Sequence, residues 1–367
     1  MKKLALALIT TSLALMMPAA TAANSVVRIT APIHQTFSGE FRNDDLVEKL
    51  TPAGQLGRLV FRSVEKNRTW VIDPALVDEI LSMTGPYTLA TGADTSGTEI
   101  ALNWMMQLRK VSADNDVVAL AYGNPDVRLA KKLAPSELRS YYNFGKERLQ
   151  LALGRLVRSE PNQNWSVGKS GLNNELRRNY TESRKALTKL SQVVDSAELV
   201  MMRARLAQLL SPELKKDSRQ YFSYSASNAV KEAVRKLRIN SGKYQITTSS
   251  VKLPVTVINE FDVDVTVDVS MVPQNTRVQV DSFNDVVIPA GSKQQLEMSV
   301  DVIAPGQTTV LATIADSDGD EVVPPAILTL NSTVIDPKVT WFTTGSAILL
   351  LLAAVAQSVR RVRRRSK

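Results

Sequence analysis

A mostly apolar stretch from Trp341 to Val359, built on the unbroken apolar run Ala347–Ala356, constrains this chain more than any other feature. About 20 such residues span a bilayer as a helix, because a helix satisfies every backbone N–H and C=O internally. Arg360, Arg361, Arg363, Arg364, Arg365 and Lys367 follow at once. Lys/Arg clusters beside a span stay on the cytoplasmic side, and Trp341 sits where an interfacial aromatic belongs. The expectation is a transmembrane helix over 339–359 and a basic cytoplasmic tail over 360–367. Trp341 and the five arginines would anchor the chain to membrane lipids.

The other end agrees. Lys2 and Lys3 precede an apolar segment from Leu4 to Met17, and Ala20-Thr21-Ala22 supplies small residues for cleavage. This is the pattern of a secretory signal peptide over 1–23, of bacterial type. Leader plus terminal span predict a single-pass type I protein of the plasma membrane, with its N-terminal domains extracytoplasmic.

The pI of 9.6 and net charge of +9 suggest a nucleic-acid binder until the charges are placed. Two lysines lie in the leader and six basic residues in the tail, leaving 37 basic and 36 acidic residues between them. Nucleic acid is therefore not implied. Within that remainder the charge is uneven. Residues 131–243 carry 23 basic and 10 acidic side chains, whereas residues 244–340 carry 4 and 13. Such asymmetry marks a change of architecture and points either to mutual attraction or to an anionic partner. With no cysteine and one histidine, His34, thiol chemistry and multi-histidine metal sites are excluded.

Three periodicities divide the chain. Residues 44–134 alternate apolar bursts with helical spacing. Arg58–Phe61 and Thr69–Ile72 resemble strands, Ala75–Met83 and Thr98–Val111 are predicted helices, and Asp116–Tyr122 is a predicted buried strand. This predicts a small α/β domain with a parallel sheet. Residues 135–243 are predicted to be helical, with Ser211-Pro212-Glu213 as a helix start. Residues 244–338 switch to period two. Val251, Leu253, Val255 and Val257 alternate with polar residues, and Pro289-Ala290-Gly291 and Asp318-Gly319 punctuate the runs. That is the pattern of an immunoglobulin-like β-sandwich. The fold class is α+β multidomain: small α/β unit, helical segment, β-sandwich and one C-terminal transmembrane helix.

The order of motifs adds a resemblance. Asp44-Asp45-Leu46, Gly57-Arg58-Leu59, Thr69 to Val77 and Val117 to Asp126 are followed by Arg203-Ala204-Arg205-Leu206, Val251 to Glu260, Pro289 to Ser292 and the arginine-tailed helix. Together they resemble the domain-of-unknown-function 6049 (DUF6049) family of actinobacterial single-pass envelope proteins, of which this would be a short member. The resemblance implies a front half similar to polysaccharide-deacetylase and glycosidase barrels. It also implies company with envelope-assembly proteins, and no established activity. Here the chain turns helical after Leu133, where a barrel would continue with strands.

Candidate sites each have two readings. Asp73 and Asp126 follow strands, where α/β sites lie, and paired carboxylates can serve as acid and base in glycoside cleavage. Asp-Pro at a strand–helix junction is equally an N-cap, its carboxylate accepting from free first-turn N–H groups. His34 is expected in a linker without partners. Asp316, Asp318, Asp320 and Glu321 form an acidic hairpin tip whose glycine is misplaced for an EF-hand. Arg177, Arg178, Arg184, Lys185, Lys215, Lys216, Arg235 and Lys236 make a surface for anionic wall polymers or lipid headgroups, or else a face docked on the acidic sandwich. No motif calls for a cofactor or a metal. The expected function is a non-enzymatic envelope protein presenting a head on a β-sandwich stalk, in cell-wall assembly or wall-component binding. The alternative is a minimal or degenerate carbohydrate-active enzyme.

Overall fold

A computed structural model describes residues 25–62, 68–163, 165–333 and 337–365. The leader expected over 1–23 lies outside the described residues. β1 (Ser25–Ile29) leads through short helices α1 (Asp45–Leu50) and α2 (Gly57–Phe61) to β2 (Arg68–Ile72). Helices α3 (Pro74–Met83) and α4 (Thr98–Ser112) precede β3 (Asp116–Ala119), and α5 (Val127–Leu133) and α6 (Pro135–Leu153) precede β4 (Arg158–Ser159). The four strands form one parallel sheet in the order β1-β2-β3-β4. The sheet thus begins before residue 44 and ends after residue 134. The apolar burst Arg58–Phe61, expected as a strand, is instead one helical turn, α2. Gly57 allows it, since a Cβ there would fall 1.8 Å from the Thr51 carbonyl oxygen.

Side-chain alternation gives the sheet two different faces. Val27, Ile29, Trp70, Ile72, Val117 and Ala119 pack under α3, α4 and α6, with Trp104 and Leu149. The opposite face, of Val71, Val118 and Leu120, is covered by Trp165 from the loop after β4. That loop is tied down twice. Arg28 donates to the Trp165 carbonyl, and the Trp165 indole donates to Glu160 at 2.6 Å.

The helical segment comprises α7 (Asn174–Val193), α8 (Ala197–Arg205), a 3-10 turn over Leu206–Leu210, and α9 (Lys216–Arg235). Its long apolar pattern is broken at Val194–Ser196, where Ser196 caps α8 by accepting from Glu198 N–H. The helix expected to start at Ser211 begins later. Ser211 accepts from Glu213 N–H in a local turn, and α9 opens at Lys216.

The sandwich comprises β5 (Leu237–Ile239), β6 (Gly242–Ile246), β7 (Ser250–Asn259), β8 (Val265–Pro273), β9 (Val278–Val280), β10 (Phe283–Ile288), β11 (Lys293–Val302), β12 (Gly306–Ala315) and β13 (Ala326–Ser332). One sheet runs β10-β8-β12-β13-β6, the other β5-β7-β11-β9. Inward Val255, Val257, Val267, Val269, Met298 and Val300 alternate with outward polar residues, as two packed sheets require. The fully buried Asn259 ties its own turn to the next strand. It donates to the carbonyls of Val263, Ile288 and Pro289 and accepts from Phe261 N–H. One apolar cluster continues from the helices, through Leu187, Leu190 and Val230, into the sandwich.

The final helix, α10 (Pro337–Arg365), contains the apolar run. Among the described residues no helix is long and apolar enough to cross a membrane. The unbroken stretch of described side chains in α10, 344–358, spans about 22 Å of helix against roughly 30 Å of bilayer core. The side chains of Arg360, Arg361, Arg363, Arg364 and Arg365 lie outside the described ones.

Candidate functional site

The C-terminal ends of parallel strands are where α/β proteins place their chemistry. In this chain that position holds a buried polar cluster. Asp73, just after β2, is 3 % exposed, and its Oδ1 accepts from Ala75 N–H at 3.0 Å and Gly123 N–H at 2.9 Å. Glu79, from the middle of α3, is equally buried. Its Oε2 accepts from His34 N–H at 3.1 Å and lies 3.3 Å from His34 Nδ1, while its Oε1 accepts from Gln208 Nε2 at 3.0 Å. The other imidazole nitrogen, Nε2, is 2.8 Å from Lys49 Nζ. With a carboxylate facing Nδ1, that nitrogen carries the proton and Nε2 is left to accept from Lys49. The result is a chain Lys49–His34–Glu79–Gln208.

Asn124 is held at φ 44°, in the left-handed region where Asn is one of the few tolerated side chains. Its amide accepts from Ser166 at 2.8 Å and approaches Glu213 at 3.5 Å. Gly123, at φ 77°, brings the backbone against Gln208.

Burial dominates the electrostatics. It pushes the Asp73 carboxyl well above the usual carboxylate range, with the charges of Glu213 and Glu79 adding to the shift and the two N–H bonds opposing it. Burial likewise raises Glu213, against a hydrogen bond from Thr30 and the charge of Lys49. Burial lowers the Lys49 ammonium even though Asp45, Glu79 and Glu213 favour its charge, and Lys215 lowers it further. Perturbed titrating groups of both signs at strand ends are a signature of functional sites, and also of structural ion networks.

Asp73 and Asp126 both take the positions of helix N-caps. Asp73 is the N-cap of α3. Asp126 is the N-cap of α5, its Oδ1 accepting from Arg128 N–H at 2.9 Å and Leu129 N–H at 3.3 Å, its Oδ2 from Ser170 N–H at 2.8 Å. Both are buried and tied to backbone amides. The segment Leu206–Leu214 covers this end of the sheet, with Asp126 N–H donating to the Leu210 carbonyl. His34, expected in a linker, is 5 % exposed and central to the cluster. No local pattern announced it, because Glu79 lies 45 residues away in sequence.

The eight cations of the helical segment fall in separate places. Arg178 and Lys185 are exposed on α7, while Arg177 and Arg184 are half-buried. Lys215 and Lys216 stand at one end of α9 and Arg235 and Lys236 at the other, about 28 Å apart at 1.5 Å per residue. The second end meets the sandwich. Lys236 lies over the Phe261 ring and Lys189 donates to the Glu321 carbonyl, while Lys236 also pairs with Glu198 of α8 and Arg238 of β5 with Glu260. A groove of about 420 Å³ opens between these layers, with Ala186, Val230, Val234 and Val322 in its lining and Lys189, Lys231 and Arg235 at its edge. The acidic tip is a closed turn, Asp316 Oδ1 accepting from Asp318 and Asp320 N–H. Among the described residues no group of three His, Cys, Asp or Glu could hold a metal ion.

A four-stranded parallel α/β unit, covered by helices and continued into a nine-stranded β-sandwich, defines a mixed α+β protein with an immunoglobulin-like module. The chain belongs to the DUF6049 family, a family of unknown function whose sequence pattern matches residues 163–366. The α/β unit lies almost wholly ahead of that span. No curated protein matches the chain.

Similar solved structures include WR4, an MSP family member of C. elegans (13 % identity, 27 % of this chain, 98 % of that one, TM-score 0.20). Others are a PapD-like domain of human CEP192 (10 %, 28 %, 87 %, 0.21) and the E. coli chaperone DraB (12 %, 26 %, 55 %, 0.20). At such TM-scores none of them bears on function.

Proposed function

We propose that this protein is a non-enzymatic, single-pass protein of an actinobacterial cell envelope. It would present its α/β and helical head on the sandwich and serve in cell-wall assembly by binding an anionic wall component. One observation carries the reading: Asp73 and Asp126, which follow strands where a barrel enzyme keeps its acid and base, both serve as helix caps. Retaining and inverting glycosidases alike need two carboxyl groups facing one substrate across open space. Membrane anchoring is supported by α10. Ile348, Leu349, Leu350, Leu351 and Leu352 are all more than half exposed, so this part of the helix presents apolar side chains to its surroundings. Arg178 and Lys185 on α7 and Lys231 on α9 offer the exposed positive charge.

The test is co-sedimentation of the detergent-solubilised full chain with purified peptidoglycan, before and after removal of its anionic polymers, over a salt series. Binding that weakens with salt and with polymer removal is expected, because exposed ion pairs are screened. No sedimentation at low salt would overturn the reading.

A further inference from the structure

The cluster at the strand ends holds an arrangement that the binding reading does not use. Lys49 Nζ is 2.8 Å from His34 Nε2, and His34 Nδ1 is 3.3 Å from Glu79 Oε2. A nucleophile within hydrogen-bond reach of a base, with that base oriented by a third group, is the general geometry of an activated nucleophile. Here the nucleophile is a primary amine. Lys49 is only half-buried, on the last turn of α1, so its amine sits at the margin of the cluster, while His34 and Glu79 are closed off behind it. Glu79 is fixed in turn by Gln208 and by the His34 backbone amide, which holds its carboxylate beside the imidazole.

We propose that Lys49 is a nucleophilic amine that captures a small aldehyde or ketone as an imine, with His34 as the proton carrier and Glu79 as its orienting partner. The step balances. His34 Nε2 takes a proton from the Lys49 ammonium, and the freed lone pair forms a C–N bond as the carbonyl π pair moves onto oxygen. The protons shed by nitrogen return through His34 to that oxygen, which leaves as water. One ammonium and one carbonyl give one protonated imine and one water, with no oxidant or reductant. Burial lowers Lys49 from the ordinary lysine value, which favours the neutral amine. The charged groups felt at the amine are Asp45 on the same helix, Glu79, Glu213 and Lys215. The imidazole of His34 touches it directly. Wall binding is not required for any of this, so the two proposals stand or fall apart.

The experiment uses the full chain in detergent, glycolaldehyde as probe and cyanoborohydride to fix the imine as a stable secondary amine. Peptide mapping by mass spectrometry then reads the rate at each lysine across pH. Lys49 is expected to be labelled several-fold faster than the exposed Lys185 and Lys231 near neutral pH. His34→Gln should reduce the Lys49 rate to theirs and move its pH profile to the alkaline side, with circular dichroism unchanged. Glu79→Gln, which keeps an acceptor but removes the charge, should lower the rate less, and it serves as the second variant should His34→Gln fail to fold. Lys49 labelled no faster than the exposed lysines would overturn the proposal. So would a Lys49 rate and pH profile unchanged by both variants.

Discussion

Replacing Asp73 separates its two readings more cleanly than any other substitution. Its Oδ1 takes both Ala75 N–H and Gly123 N–H in a site only 3 % exposed. In Asp73→Ala both amides lose their acceptor and water cannot readily replace it. An unsatisfied buried donor costs about 1–3 kcal/mol, and N-cap removal about 1 kcal/mol, the latter being one of the same two bonds. The expected loss is therefore about 2–4 kcal/mol. Asp73→Asn keeps an oxygen where both amides point, and should stay within about 1 kcal/mol of the parent.

The pH dependence follows from the raised carboxyl. A group that binds its proton more tightly when folded contributes stability at low pH. That contribution is lost as pH climbs from the unfolded carboxyl value through the folded one. Asn has no such slope, so its stability relative to the parent should improve as pH rises. Urea unfolding followed by tryptophan fluorescence reads this unit directly, since Trp70 and Trp104 are both fully buried in its core. An Asp73→Ala variant within about 0.5 kcal/mol of the parent at pH 7 would refute the capping argument. Asn as damaging as Ala would show that the charge, rather than the acceptor, matters.

Three further outcomes are expected. Gly123→Ala puts a Cβ 2.7 Å from the Gln208 backbone nitrogen at a positive φ, and should cost about 2–4 kcal/mol from strain and overpacking, read as a lower urea midpoint. Trp165→Ala uncovers Val71, Val118 and Leu120 and should cost about 2 kcal/mol, roughly half a core aromatic deletion, with new binding of an apolar dye at the sheet's open face. Among the tyrosines, burial holds Tyr87 and Tyr180 up at about 12, and Tyr122 and Tyr141 higher than ordinary. Absorbance at ~295 nm should show these four still protonated as pH passes 10. The stability they lend is lost between the unfolded value and their folded ones, so alkaline unfolding should coincide with their ionisation.

The elements legible in the sequence are those whose apolar period is long and local. Residues 98–112 repeat at helical spacing over four turns, and β7, β8, β11 and β12 alternate over nine or ten residues each. What escaped was set by distant partners. β4 is two residues long and is a strand only because β3 lies beside it. The Arg58–Phe61 burst has strand-like composition but becomes a turn of helix packed against α4, with Val60 fully buried. At Asp73 and Asp126 the cap reading was written in the Asp-Pro and Asn-Pro-Asp sequences themselves. His34 was not readable at all, since its role needs α1, α3 and the strand ends to meet. The uneven charge was legible, and two basic side chains of the helical layer do reach the sandwich, Lys236 over Phe261 and Lys189 to the Glu321 carbonyl.

A parallel sheet of four strands cannot close on itself. A barrel of eight buries its inner face with its own alternating side chains, whereas this sheet keeps two edges and one uncovered face. The chain closes it from elsewhere: Trp165 covers Val71, Val118 and Leu120, and Leu206–Leu214 settles over the strand ends. Once covered, carboxylates at those ends must be paired with donors or hold their protons, because an isolated buried charge is too costly. Asp73, Glu79 and Asp126 all find donors. Lys49 meets the cluster from its half-open side, hydrogen-bonded to a base yet partly in water. That partly open position beside a hydrogen-bonded imidazole sets the amine apart from the carboxylates that cap helices.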